Sequence, residues 1–115
     1  MQPEEQAVLL RIFIGEADRC QGRPLYEAIV VKAREMGLAG ATVLRGPMGF
    51  GHSSRLHTSE ILRLSADLPL VIEIVDLQER IDTFLPELDR MMGSGLVTLE
   101  NVRIRQYGPS ARADG

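Results

Sequence analysis

The sequence predicts an α+β sandwich in the order βαββαβ, four antiparallel strands carrying two helices on one face. Three observations carry that expectation. Two nearly continuous apolar runs, Ala7 to Gly15 and Leu70 to Val75, are rich in β-branched residues. Each is followed by a stretch with apolar residues at helical spacing. The chain has 115 residues, of which 44% are hydrophobic and 25% charged, enough for one compact core and too short for several domains. A single domain over residues 1–115 is expected, with an ordered core over about 7–107 and a frayed tail over 108–115.

The first strand is Ala7 to Gly15, an uninterrupted apolar run closed by glycine, as suits a central strand. A polar loop, Glu16 to Gly22, leads to Pro24 at a first helical position, and Leu25, Ile29, Ala33 and Met36 mark helix one up to Gly37. Ala41 to Leu44 begins strand two, which Gly46, Pro47, Gly49 and Gly51 interrupt. From His52 to Asp67 the apolar residues fit either a helix face or an irregular extended stretch, and the extended reading is preferred. Leu70 to Val75 is strand three. Asp76 with Glu79 three residues later reads as a carboxylate capping box that starts helix two. Leu77, Ile81, Phe84, Leu85, Leu88, Met91 and Met92 form its apolar stripe, Pro86 kinks it, and Gly93-Ser94-Gly95 ends it. In the last strand Val97 and Leu99 have one parity and Val102 and Ile104 the other, so a bulge near Glu100-Asn101 is expected. The order is that of a ferredoxin-like sandwich.

Composition excludes several function classes. The net charge of -3 and 4% aromatic residues, with no Trp, argue against a nucleic-acid partner and an RNA-binding module in particular. Cys20 stands alone, which excludes an intrachain disulfide and a cysteine zinc site and suits a cytoplasmic location. The acidic start, Met1-Gln2-Pro3-Glu4-Glu5, is unlike a secretory signal, and Leu68 to Val75 is too short to span a bilayer.

Two helices cannot cover both faces of four strands. Val8, Leu10, Ile12 and Ile14, with Leu70, Ile72 and Ile74, can meet the helices, which leaves Leu9, Phe13, Val71 and Val75 on the other side. Leaving them in water forgoes roughly 1.5–3 kcal/mol each, so self-association is expected.

The segment Arg45 to Thr58 holds the densest chemistry. Its glycines, Gly46, Gly49 and Gly51, permit backbone amides to converge on an anion. His52 stands where a phosphate loop of the nucleoside-triphosphatase class needs lysine. Arg45, Arg55 and Arg63 face only Glu60, with His52 and His57 between, so this loop is basic in an acidic molecule. Arg103 and Arg105 share one side of the last strand, close in sequence to Gly93 and Gly95, and suit phosphate oxygens. His52, His57 and Glu60 are the alternative, a weak set of metal ligands. Ser53 and Ser54 lack the setting of a nucleophile, and no catalytic residue or cofactor is expected.

Leu10 to Glu16, Pro24 to Val30, Gly40 to Gly46, Gly49 through Leu62, Leu68 to Asp76 and Gly95 to Glu100 together resemble the PII-like family known as domain of unknown function 190. A more distant likeness is to the nitrogen-regulatory PII proteins. The resemblance implies a homotrimer with adenine nucleotides in clefts between subunits. It places the PII T-loop at Gly49 to Thr58 and the B-loop at Gly93-Ser94-Gly95, and likens Val102 to Arg105 to the arginine-bearing end of the PII core. The B-loop here is shorter and lacks its lysine, and the T-loop lacks the tyrosine that PII proteins uridylylate. The function expected is a non-catalytic regulator. Arg45, Gly46, Gly49, Gly93, Gly95, Arg103 and Arg105 would bind the effector, while Phe50, Gly51, His52, Ser53, Ser54, Arg55 and His57 would meet a protein partner, with a membrane transporter or an enzyme as candidates. The rival reading is a metal-binding or metal-tolerance trimer using the loop histidines.

Overall fold

The computed structural model describes residues 4–50 and 68–108. Its elements in chain order are β1 (Glu5–Gly15), β2 (Arg19–Cys20), β3 (Arg23–Pro24), α1 (Leu25–Glu35), β4 (Thr42–Arg45), β5 (Pro69–Asp76), α2 (Gln78–Met91) and β6 (Leu96–Ile104). The main sheet is antiparallel in the order β4-β5-β1-β6, the ferredoxin-like arrangement expected from the order of elements. The two most apolar strands, β1 and β5, occupy its centre.

The core lies between this sheet and both helices. Leu10 and Ile12 of β1 and Ile72 and Ile74 of β5 meet Ile29 of α1 and Ile81, Phe84 and Leu88 of α2, all buried in one cluster. Alternation explains the choice: the paired residues Leu10↔Ile74 and Ile12↔Ile72 share the helix-facing side, and the intervening residues point away. α2 runs unbroken through Pro86.

Four local expectations are corrected. The stretch after β1 is a hairpin, not a plain loop, because Gln21 and Gly22 adopt φ of 51° and 84°, the two-residue turn that matches strand twist. Asp18 seats it, accepting from the Gly15 amide at 2.9 Å while its own carbonyl accepts from Leu25 N at 2.8 Å. Pro24 therefore ends β3 and precedes α1 instead of opening its first turn.

Asp76 and Glu79 form no capping box, since α2 begins after Leu77 with no side-chain cap. The Asp76 carboxylate instead accepts from Leu77 N at 2.7 Å and from Ala39 N at 2.9 Å, so it ties the start of α2 to the loop after α1. That loop leaves α1 through Gly37, whose φ of 79° permits paired closing bonds, Leu38 N to Ala33 O and Gly37 N to Arg34 O, each 3.1 Å.

The expected bulge in the last strand is absent. β6 pairs with β1 in one continuous register from Glu5↔Ile104 to Phe13↔Leu96. Strict alternation then sets Val97 and Leu99 on the helix side and Val102 and Ile104 on the other, so the apolar residues of β6 serve both faces. The extended reading of residues 52–67 lies outside the described residues.

Candidate functional site

The strand register decides which of the sequence-selected residues share a neighbourhood. Arg45 pairs with Leu70, Leu70 with Ile14, and a side chain at Gly95 would touch Ile14, so Arg45 and Gly95 lie in one row across the sheet. Being on opposite edges, they stand about three strand spacings apart, roughly 14 Å. Gly46 continues the β4 edge with its amide on Pro69 O at 2.8 Å. Arg103 pairs with Gln6 at the other end of β6, eight positions beyond Gly95 and therefore roughly 26 Å away. One chain thus brings Arg45, Gly46, Gly49, Gly93 and Gly95 to one end of the sheet and holds Arg103 and Arg105 at the other.

The glycines have structural reasons of their own. A Cβ at Gly46 or Gly49 would stand 3.0 or 3.1 Å from Pro69 Cγ, and Gly49 has φ of 152°. At Gly95, with φ of 128°, it would stand 2.7 Å from the Phe13 carbonyl oxygen. Gly93 alone of the four has nothing within 4 Å of the added atom.

Arg45, Arg103 and Arg105 each already have a companion. Arg45 is paired with Glu16 on the exposed rim beside β1. Arg103 Nη1 meets Glu4 Oε1 at 3.2 Å. The Arg105 guanidinium lies over the Tyr107 ring, 5.9 Å from its centroid. Exposed pairs of this kind contribute about 0–1 kcal/mol, so a phosphate can displace either carboxylate at small cost. Sequence reasoning missed Glu4, Glu16 and Tyr107. The first two become visible only with the register, and Tyr107 was legible as one of five aromatic residues, sitting two positions from a selected arginine.

Phe50 and Met48 close the described part of the β4 edge, both largely exposed. Gly51, His52, Ser53, Ser54, Arg55 and His57 lie outside the described residues, as does Glu60. Among the described residues no group of three or more His, Cys, Asp or Glu side chains is gathered as a metal site, and no helix is long and apolar enough to cross a membrane. A cleft of about 280 Å³ lined by Met36, Leu38, Glu79, Arg80 and Thr83 opens between the end of α1 and the first turns of α2, and none of the selected residues lines it.

The sheet face away from the helices carries Leu44, Val71, Val75, Leu9, Phe13 and Leu96, crossed by one row of charge. In that row Arg11 Nε meets Glu73 Oε2 at 2.9 Å and its Nη1 meets Glu100 Oε1 at 3.6 Å. Phe13 is 36% exposed and Leu96 is 59% exposed. The charge on Arg11 is thus matched within the chain, and apolar surface flanks it on both sides.

Comparison with known proteins bears on the family and the fold. The model of the DUF190 family, described as "Uncharacterized ACR", matches residues 7–104. A UPF0166 protein of Aquifex aeolicus is 40% identical over 96 residues, 84% of this chain and 90% of that protein. Among solved structures the chain is similar to CPII of Thiomonas intermedia K12, described as a nitrogen regulatory PII-like protein. The CPII structure bound to ADP and bicarbonate superposes with a TM-score of 0.61 at 16% identity, covering 92% of this chain and 95% of that one. GlnK of B. subtilis superposes with a TM-score of 0.52 at 15% identity, covering 85% and 86%. At such identities the likeness establishes the fold, which is PII-like.

Proposed function

Since the chain belongs to the DUF190 family and has the PII-like fold, we propose that it is a non-catalytic regulatory protein that assembles as a homotrimer and binds an adenine nucleotide between its subunits. The observation that supports this reading is the division of the candidate residues between the two ends of the sheet. A ligand of nucleotide size cannot touch both groups on one chain. Two copies joined through the open sheet face can offer Arg45, Gly46, Gly49, Gly93 and Gly95 from one subunit and Arg103 and Arg105 from the next. In that arrangement the arginines and the glycine loop hold phosphate, and the exit of β4 lines the base or ribose. The segment from Phe50 to His57 then meets a protein partner, a membrane transporter or an enzyme, through a change of conformation that the nucleotide favours. The ADP in the CPII structure supports the choice of effector.

Thermal-shift titration with AMP, ADP and ATP tests the reading, with light scattering on the same samples. A ligand at one hundred times its dissociation constant adds about 2.7 kcal/mol, which raises the melting temperature by several degrees. The expected result is a trimer stabilised by at least one of the three. A monomer at micromolar concentration, or no shift with any of them, overturns it. Stabilisation by Zn²⁺ or Cu²⁺ that His57→Ala abolishes supports the metal-binding alternative instead.

A further inference from the structure

Phe84 is buried in the core, Tyr26 packs against it, and Phe13 lies on the open sheet face, so Phe50 and Tyr107 are the rings left standing in solvent. Tyr107 is the more exposed, at 72%, and lies three positions beyond the end of β6. One of its faces is occupied by the Arg105 guanidinium. Its other face has no ring contact among the described residues. A tyrosine this exposed contributes little to the core, yet it stands beside a cation of the proposed site.

We infer that Tyr107 is the stacking surface for the purine base of the bound nucleotide, with Arg105 backing the ring. This rests on the nucleotide-binding reading above and specifies how that site recognises a base. A guanidinium is planar, so it stacks through its face while its N–H groups donate in the plane. Arg105 can therefore keep its place over the ring, 5.9 Å from the centroid, and still direct N–H groups at a phosphate oxygen. The cation draws electron density from the phenol, which favours contact with an electron-rich purine on the opposite face. Stacking needs the ring and not the hydroxyl, and it is the contact that separates a nucleotide from a bare phosphate.

Isothermal titration of ADP into the wild type and into Tyr107→Phe, Tyr107→Leu and Tyr107→Ala tests this. Truncating a stacked aromatic weakens binding by about tenfold or more. Tyr107→Ala and Tyr107→Leu are expected to show that loss, and Tyr107→Phe to stay within about threefold of the wild type. The exposure of Tyr107 means that the ligand-free melting temperature should hardly change, which separates lost binding from lost folding. In a Tyr26→Phe background, where Tyr107 is the remaining tyrosine, ADP should also quench the emission. Wild-type affinity in Tyr107→Ala overturns the assignment, as does a Tyr107→Leu variant that binds as well as Tyr107→Phe. A wild type that binds no ADP overturns the nucleotide reading itself, and the stacking role with it.

Discussion

Gly95 shows how a residue chosen for chemistry can be held by sterics. It is expected to line the effector site, yet a methyl group there meets the Phe13 carbonyl oxygen at 2.7 Å with φ at 128°. Gly95→Ala is expected to destabilise the protein by about 2 kcal/mol or more, whereas Gly93→Ala, with open space around it, should be close to neutral by urea denaturation. Equal effects would show that the loop adjusts freely. Asp76 offers a second case. It is 7% exposed and accepts from two backbone amides, Leu77 N and Ala39 N, so Asp76→Ala leaves both donors unmatched and should cost about 1–3 kcal/mol in the same assay. The sequence marked Asp76 as important for a nearby reason, an acid before a helix. Its true partner, Ala39, lies 37 positions away and leaves no local trace.

The elements were legible where apolar residues run almost unbroken through a strand or recur at the helical period. β1 and β5 announce themselves as nearly unbroken apolar runs, and α1 through Leu25, Ile29 and Ala33, which recur at helical spacing. β6 was misread at its centre. Its apolar residues divide between the faces, and a rule that sends every apolar side chain inward demands a bulge that the continuous pairing with β1 does not contain. The β2–β3 hairpin was missed because two-residue strands carry no periodicity, and its turn uses Gln21 where Asn is the usual residue at positive φ. Gln21→Asn should therefore raise stability by about 0.5 kcal/mol in a thermal melt. A lower melting temperature would mean that the glutamine side chain is needed where it stands. The candidate site was only half legible, since residue types mark Arg45 and Arg103 but not the two strands that separate them or the carboxylates beside them.

On the scale of the molecule the informative surface is the face that the helices leave bare. The flanking apolar side chains favour its burial, and the Glu73–Arg11–Glu100 row lets the arginine enter an interface already paired. If this face joins the proposed subunits, Leu96→Arg should yield a folded monomer by sedimentation velocity with an unchanged far-ultraviolet circular dichroism spectrum, because Leu96 is outside the core. Persistence of the assembly would move the interface elsewhere. The length of β6 then acquires a consequence in the cell. Arg45 and Arg103 are too far apart on one chain to share a nucleotide, so on the proposed arrangement affinity depends on gene dosage as well as on effector level. Below the concentration at which copies meet, the chain is blind to its signal, and the signal in turn lowers the concentration at which they meet.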